Sequence, residues 1–422
     1  MIENEKPQEI AIIVGVQSQR QELPVDEYLD ELEQLVYTSG AKSIKRFTQK
    51  LEHPHAKTYV GKGKMQEIAE YCKNNKVDIA IFDDELSPAQ VRNLEKEIID
   101  VKVLTRTHLI LDIFAQHAKS REGKAQVELA QMSYMLPRLR GWGESLSRQA
   151  GGIGGRGPGE TKIETDRRRI RDKMAKLRRE IAEMKVSRDT KRQERKRFNI
   201  PSVAIAGYTN AGKSSLLNAL TGAGVLVENA LFATLDPTVR KCETSEGRVY
   251  TLSDTVGFVR HLPHQLVDAF KSTLEEVSGA DLIVHVVDGS HSDPFEQIRA
   301  VRQVITEIGG GDIPEIIAIN KVDIASPDVV MEILRKEANS YAFSVRSGFG
   351  IDGLIHAIEK SLPHPSVEIT TVIPYSRGDL VSAIHERGEI LSEEHLAEGT
   401  AIHAYVDGGL AKAIEIATSK QE

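Results

Sequence analysis

The sequence predicts an α/β layer fold built around a phosphate-loop domain, interrupted by a long antiparallel helical hairpin and closed by a small α/β domain. Three observations lead there. Short apolar runs alternate with helical stretches over residues 1–105 and again over 199–366. The second region holds a glycine-bounded loop ending in Lys-Ser between an apolar strand and a helix. Between the two regions, over 106–198, strand signals give way to long charged helical stretches.

In the first region Ile10–Val16 reads as a buried strand, and a helix follows from Pro24 with Leu29, Leu32 and Leu35 on one face. Val77–Asp83 is a second strand, after which Ser87 and Pro88 open a helix as cap and first-turn residue. This alternation predicts a largely parallel sheet.

In 106–198, Ile170, Met174, Leu177, Ile181 and Met184 form a narrow heptad seam, whose expected partner is the stretch from Arg121 to Leu136 with Val127, Leu129 and Met132. Between them lies Gly151–Gly159, with six glycines in nine residues. That composition opposes a helix and predicts a loop at the hairpin's end. A plain connector remains an alternative. Residues 367–422 read as strand (Val367–Ile373), helix (Gly378–Glu386) and strand (Thr400–Val406).

Length and composition narrow the function classes. A chain of 422 residues, 40% hydrophobic, can bury packed cores, and length alone suggests about three domains. Its two cysteines, Cys72 and Cys242, fit neither a disulfide framework nor a zinc site. The start lacks a secretory pattern, and no apolar run approaches the roughly 18 residues of a membrane span. A soluble cytoplasmic protein is expected. The net charge of −7 conceals an asymmetry: Thr161–Arg197 carries sixteen Lys or Arg against seven Asp or Glu. One basic rod on an acidic molecule suits a polyanion partner, although a solvated helix face gives the same composition.

The chemistry sits in 199–366. Gly207-Tyr208-Thr209-Asn210-Ala211-Gly212-Lys213-Ser214 follows the strand Ser202–Ala206 and precedes a helix. The glycines let backbone N–H groups turn toward phosphate oxygens, Lys213 reaches the terminal phosphates, and the Ser214 hydroxyl can ligate Mg²⁺. Asp254-Thr255-Val256-Gly257 follows the strand Val249–Leu252. Its carboxylate can hold a magnesium-bound water, and the Gly257 N–H can meet a terminal phosphate. Asn320-Lys321-Val322-Asp323 follows the strand Glu315–Ile319. A fixed carboxylate at Asp323 accepts from both donors on the guanine edge, a pair adenine lacks, so this element selects GTP over ATP. Ser344-Val345-Arg346 would complete the base pocket. In the interval Glu228–Arg240, both Thr234 and Thr238 could complete magnesium coordination when a γ-phosphate is present.

Beyond these motifs, Tyr59-Val-Gly-Lys-Gly-Lys64, Arg106-Thr-His-Leu-Ile-Leu-Asp-Ile-Phe114 and Gly154-Gly-Arg-Gly-Pro-Gly-Glu-Thr-Lys162 resemble the HflX family of translation-factor-related GTPases, over essentially the whole chain. Phe232-Ala233-Thr234-Leu235-Asp236 looks like that family's first switch, which places the magnesium threonine at Thr234. The resemblance implies GTP/GDP and Mg²⁺ as cofactors, with Lys213, Thr234 and Gly257 as catalytic groups and Ser214 and Thr234 as metal ligands. It further implies binding to the large ribosomal subunit and its rRNA, and splitting of stalled or stress-arrested ribosomes. A monomer is expected, with no DNA and no stable membrane insertion. Four parts are expected: 1–105, 106–198, 199–366 and 367–422. Phe258 stands where many GTPases carry a water-orienting glutamine, so slow intrinsic hydrolysis with outside stimulation is expected. Ser344-Val345-Arg346 replaces the commoner Ser-Ala-Lys. A slow timer recruiting a protein through the hairpin is the alternative, and separate nucleotide chemistry near Lys62 is a further one.

Overall fold

The computed structural model describes residues 8–18, 24–138, 158–197, 200–222, 231–232, 238–245, 247–259 and 271–418. The chain divides into two compact units: Met1–Glu183 with Glu228–Leu235 and His261–Phe270, and the remainder.

The first unit is built on a four-stranded parallel sheet in the order β2-β1-β3-β4, from β1 (Ile10–Gln17), β2 (Lys42–Lys50), β3 (Ile79–Phe82) and β4 (Lys102–Thr105). Alternate β1 residues face opposite layers. Ile12, Val14 and Val16 join a core completed by Met65, Ile68 and Cys72 of α2 (Lys62–Asn75) and Leu94 of α3 (Pro88–Glu97). Leu29, Leu32 and Leu35 of α1 (Val25–Thr38) are fully buried, as their spacing requires. Ser87 caps α3 in a capping box with Gln90, and Pro88 occupies its first turn. The β2 strand carries Lys42, Lys45, Arg46 and Lys50 and lies at the sheet edge, so it lacks the apolar run by which strands are recognised.

Next come α4 (Arg106–His117), α5 (Arg121–Met135) and the forty-residue α6 (Pro158–Arg197). Met174 and Leu177 of the seam are buried, as are Val127 and Ala130 of α5. Lys173 pairs with Glu128, joining α6 to α5. One expectation is corrected: the glycine run is not wholly non-helical, because Pro158 and Gly159 open α6. Proline's fixed φ suits the first helical turn, where its missing N–H costs nothing. Gly151–Gly157 lie outside the described residues.

The second unit contains a six-stranded sheet in the order β10-β9-β8-β5-β7-β6. Its strands are β5 (Ser202–Gly207), β6 (Thr238–Glu243), β7 (Val249–Asp254), β8 (Leu282–Asp288), β9 (Glu315–Asn320) and β10 (Ser340–Ala342). All pairings are parallel except β6 with β7. Central β5 has β7 on one side and β8 on the other, the strand-order reversal at which α/β sheets open a ligand crevice beyond their carboxyl ends. Helices α7 (Lys213–Thr221), α8 (Lys271–Ser278), α9 (Pro294–Glu307), α10 (Pro327–Lys336) and α11 (Ile351–Ser361) accompany the sheet.

The same unit ends in an antiparallel sheet, β11-β13-β12, from β11 (Val367–Ile373), β12 (Glu389–His395) and β13 (Thr400–Val406). Its core joins Ile373, Ile402, Ala404 and Val406 to Leu380 and Ile384 of α12 (Gly378–Arg387) and Leu410 and Ile414 of α13 (Gly408–Thr418). Both β12 and α13 add to the strand–helix–strand reading of this region. Among the described residues no helix is long and apolar enough to cross a membrane.

Candidate nucleotide site

The phosphate loop leaves β5 through Gly207 and enters α7 after Gly212. Both glycines are required by space and by conformation. Gly207 has φ +148°, and a Cβ there would sit 2.2 Å from the Val286 carbonyl oxygen. Gly212 has φ +101°, and a Cβ there would sit 2.1 Å from Nδ2 of Asn320. Asn210 takes the left-handed conformation that Asn tolerates better than most residues. The loop thus presents backbone N–H groups at the positive end of α7, a geometry suited to an anion.

Lys213 is buried and its Nζ donates to the Tyr208 carbonyl at 2.8 Å. Burial pushes its pKa down to about 8, partly opposed by the Asp254 carboxylate. An ammonium held this far from water is poised for an anionic partner. Ser214 Oγ donates to Asp254 Oδ2 at 2.6 Å, and Asp254 is fully buried at the end of β7. A hydroxyl and a carboxylate side by side are hard oxygen donors of the kind Mg²⁺ takes, one directly and one through water. Thr209 Oγ1 is buried without a hydrogen-bond partner among the described residues.

The loop after β7 is locked to the phosphate loop by its backbone. Thr255 Oγ1 donates to the Ile205 carbonyl at 2.7 Å. The Phe258 N–H donates to the Gly207 carbonyl at 3.1 Å, and the Phe258 carbonyl accepts from Thr209 N–H at 2.8 Å. Gly257 approaches so closely that a Cβ would lie 2.6 Å from Thr209 Cγ2 and 3.0 Å from Lys213 Nζ. Phe258 itself is buried. It points into packing.

On the far side of the crevice, Asn320 ends β9 as a brace. Its Nδ2 donates to the Ala211 carbonyl at 2.8 Å, and its Oδ1 accepts from Val345 N–H at 3.2 Å. Asp323 Oδ1 accepts from Ser344 Oγ at 2.7 Å, which orients the carboxylate. Lys321 Nζ pairs with Asp288 Oδ2 at 2.6 Å. Asp288 was not singled out from the sequence. Its signal is position: it ends β8 beside Asn320.

The structure therefore gathers residues 207–214, 254–257, 320–323 and 344–346 at the carboxyl ends of β5, β7, β9 and β10 within the second unit. Arg346 joins this group by its place in the 344–346 loop and forms no ion pair among the described residues. Ala233, Thr234, Leu235 and Asp236 lie outside the described residues. Phe232 is described, and it packs in the first unit.

A phosphate loop, an Asp-x-x-Gly turn and an Asn-Lys-x-Asp base loop on one six-stranded sheet define a P-loop GTPase domain. Comparison with known proteins refines that class. Family models described as GTP-binding GTPase N-terminal, GTP-binding GTPase Middle Region and 50S ribosome-binding GTPase match residues 26–115, 117–195 and 202–321. GTPase HflX of Caldanaerobacter subterraneus is 45% identical over 96% of this chain and 93% of its own. That of Flavobacterium psychrophilum is 52% identical over 75% and 76%, and that of Escherichia coli 43% over 87% and 86%. The chain belongs to the HflX family of GTPases: it binds guanine nucleotides and hydrolyses GTP.

Proposed function

We propose that the chain binds the large ribosomal subunit through its rRNA and splits stalled or stress-arrested ribosomes, with GTP binding and hydrolysis governing the cycle. The observation that carries this reading is the match of residues 202–321 to a family of 50S ribosome-binding GTPases, beside a basic helix on the same chain. Arg168, Arg169, Arg171, Arg178 and Arg179 on α6 are exposed. Surface arginines spaced along a helix suit phosphate backbones rather than a protein core. Cytoplasmic placement follows from the same partner.

At the nucleotide, Ser214 and Thr234 would hold Mg²⁺, and the Asp254 carboxylate beside Ser214 would accept from water on the ion. The ion, when bound, neutralises charge on the β- and γ-phosphates. Lys213 exchanges the Tyr208 carbonyl for phosphate oxygens, which restores the favourable charge state that burial opposes. The Gly257 N–H meets the γ-phosphate, because only a residue without Cβ passes Thr209 and Lys213 Nζ. Asp323 reads the guanine edge and Ser344 fixes its orientation.

The test is sedimentation with purified subunits and light scattering of stalled ribosomes, with GDP or a non-hydrolysable GTP analogue. Binding and splitting are expected with the analogue and not with GDP. Turnover by the isolated chain should be slow and rise at least about tenfold with large subunits, as expected where an outside group completes the site. Equal sedimentation with both nucleotides, or turnover indifferent to subunits, overturns the reading.

A further inference from the structure

Thr209 is the third residue of the phosphate loop and is 6% exposed. Its main chain is fixed, since its N–H donates to the Phe258 carbonyl at 2.8 Å. Its side chain lies against the loop after β7: a Cβ on Gly257 would stand 2.6 Å from Thr209 Cγ2, 2.9 Å from Thr209 Cα and 3.0 Å from Lys213 Nζ. Thr209, Gly257 and the Lys213 ammonium thus meet at one point. The hydroxyls of Ser214, Thr255 and Ser344 each donate to an acceptor of the site, at 2.6, 2.7 and 2.7 Å. Oγ1 of Thr209 is buried and has no partner among the described residues. A hydroxyl shut away from water without an acceptor opposes folding, so such a group points to a ligand that completes it.

We propose that Thr209 is a further substrate-contact residue, whose Oγ1 donates a hydrogen bond to an oxygen of the γ-phosphate. Lys213 Nζ and the Gly257 N–H are the groups assigned to that phosphate, and both border the Thr209 side chain. A phosphate oxygen is an anionic acceptor, and hydrogen bonds to charged groups are the strong ones. The other contacts of the phosphate loop come from backbone N–H groups and Lys213, so the hydroxyl adds a side-chain contact at the terminal phosphate. GDP ends at the β-phosphate and leaves Oγ1 unpaired. The proposal rests on the reading of Lys213 and Gly257 given above.

The test uses the full chain with Mg²⁺ and compares affinity for GDP and for a non-hydrolysable GTP analogue by titration calorimetry, beside thermal melts without nucleotide. Thr209→Val keeps the branched shape and the contact with Gly257 while removing the donor. It should weaken the analogue roughly ten- to hundredfold, the size of a hydrogen bond to a charged group, and leave GDP within about twofold. The nucleotide-free melt should hold or rise, because the variant buries a methyl group in place of an unpaired hydroxyl. A side chain needed only for packing cannot give that combination. Thr209→Ser keeps the donor and should restore most of the analogue's affinity. An unchanged ratio in Thr209→Val refutes the contact. So does an equal loss for both nucleotides, which assigns the side chain to packing if the melt also falls and to the β-phosphate if it does not. Single-turnover hydrolysis that slows while analogue affinity holds would place the hydroxyl on the attacking water and likewise overturn the proposal. Lys213→Gln separates this contact from the reading beneath it and should weaken both nucleotides. If both bind it normally, the phosphate assignment fails and the Thr209 contact falls with it. If both weaken while Thr209→Val leaves the ratio unchanged, only the Thr209 contact is refuted.

Discussion

Asn320 is the residue whose loss should reveal how the site is preorganised. Its side chain, buried to 4% exposure, joins the phosphate loop at the Ala211 carbonyl to the base-pocket loop at Val345 N–H. Its own carbonyl accepts from Gly289 N–H at 2.9 Å, which adds the loop after β8. Asn320→Ala orphans one carbonyl and one N–H. Each unsatisfied buried group costs about 1–3 kcal/mol, and because these loops border a crevice that water enters, the low half of the range applies, about 2–4 kcal/mol in total. For a domain of this size that is a fall in Tm of roughly 4–16 °C. Nucleotide must then order two loops that the parent holds ready, so GDP and GTP-analogue affinities should both drop about tenfold, with their ratio unchanged. Asn320→Asp should do no better, since a carboxylate would face the Ala211 carbonyl without a proton to donate. Titration calorimetry with both nucleotides, beside thermal melts, measures each part. An unchanged Tm with normal affinities would refute the brace, and a loss confined to one nucleotide would show that Asn320 reads the ligand directly.

Three further outcomes follow from other parts of the chain. Asp323→Asn should weaken GTP and shift preference toward xanthine nucleotides, because an amide can donate to the extra carbonyl; equal GTP affinity in variant and parent excludes Asp323 from base reading. Glu315 is raised by burial but held below its ordinary value of 4.5 by hydrogen bonds from His285 at 2.7 Å and Arg302 at 2.9 Å. Its folded pKa is depressed, so its stabilisation is complete above about pH 4.5 and is lost as pH falls through the folded value; Glu315→Gln should lower Tm at pH 7 by an amount that shrinks toward pH 4, seen in paired melts. Reversing charge at Arg168, Arg169 and Arg171 should weaken large-subunit binding and flatten its salt dependence by about one unit of log–log slope for each phosphate left unneutralised, while GTP binding by the free chain stays unchanged.

The parts legible in the sequence are those where local rules and tertiary structure agree. The phosphate loop, Asp254–Gly257 and Asn320–Asp323 announce themselves because each follows an apolar strand and uses residues whose chemistry fixes their order. The α1 leucines and the Met174–Leu177 seam are legible because burial follows their helical period. The β2 and β12 strands are not, since Lys42–Lys50 and Glu389–His395 are edge strands with polar side chains, and pairing rather than pattern makes them strands. The link from Asn320 to Ala211 spans 109 positions, and that from Leu231 to Thr38 spans 193. No local periodicity encodes contacts at such separations. Asp288 is hidden for the same reason: its role as partner of Lys321 exists only once β8 and β9 lie side by side.

Phe258 shows how a substitution that looks catalytic can be structural first. A glutamine in that place would be expected to orient the attacking water, and a phenyl ring cannot. Here the residue's N–H and carbonyl both bond the phosphate loop, while its side chain is 2% exposed. The backbone of Phe258 thus ties its loop to the phosphate loop, while its ring is buried. Restoring glutamine should therefore not restore catalysis. Phe258→Gln would put a carboxamide into a buried site now filled by a phenyl ring, and an unpaired carboxamide there costs about 1–3 kcal/mol beyond the lost aromatic burial. Tm should fall by several degrees, roughly 4–10 °C at this domain size. Intrinsic GTP turnover, measured by phosphate release under saturating GTP, should stay within about threefold of the parent, since positioning a water is worth far more than that when it succeeds. A rise of tenfold or more would mean that the side chain can swing out to the γ-phosphate. Position 258 would then govern the intrinsic rate directly.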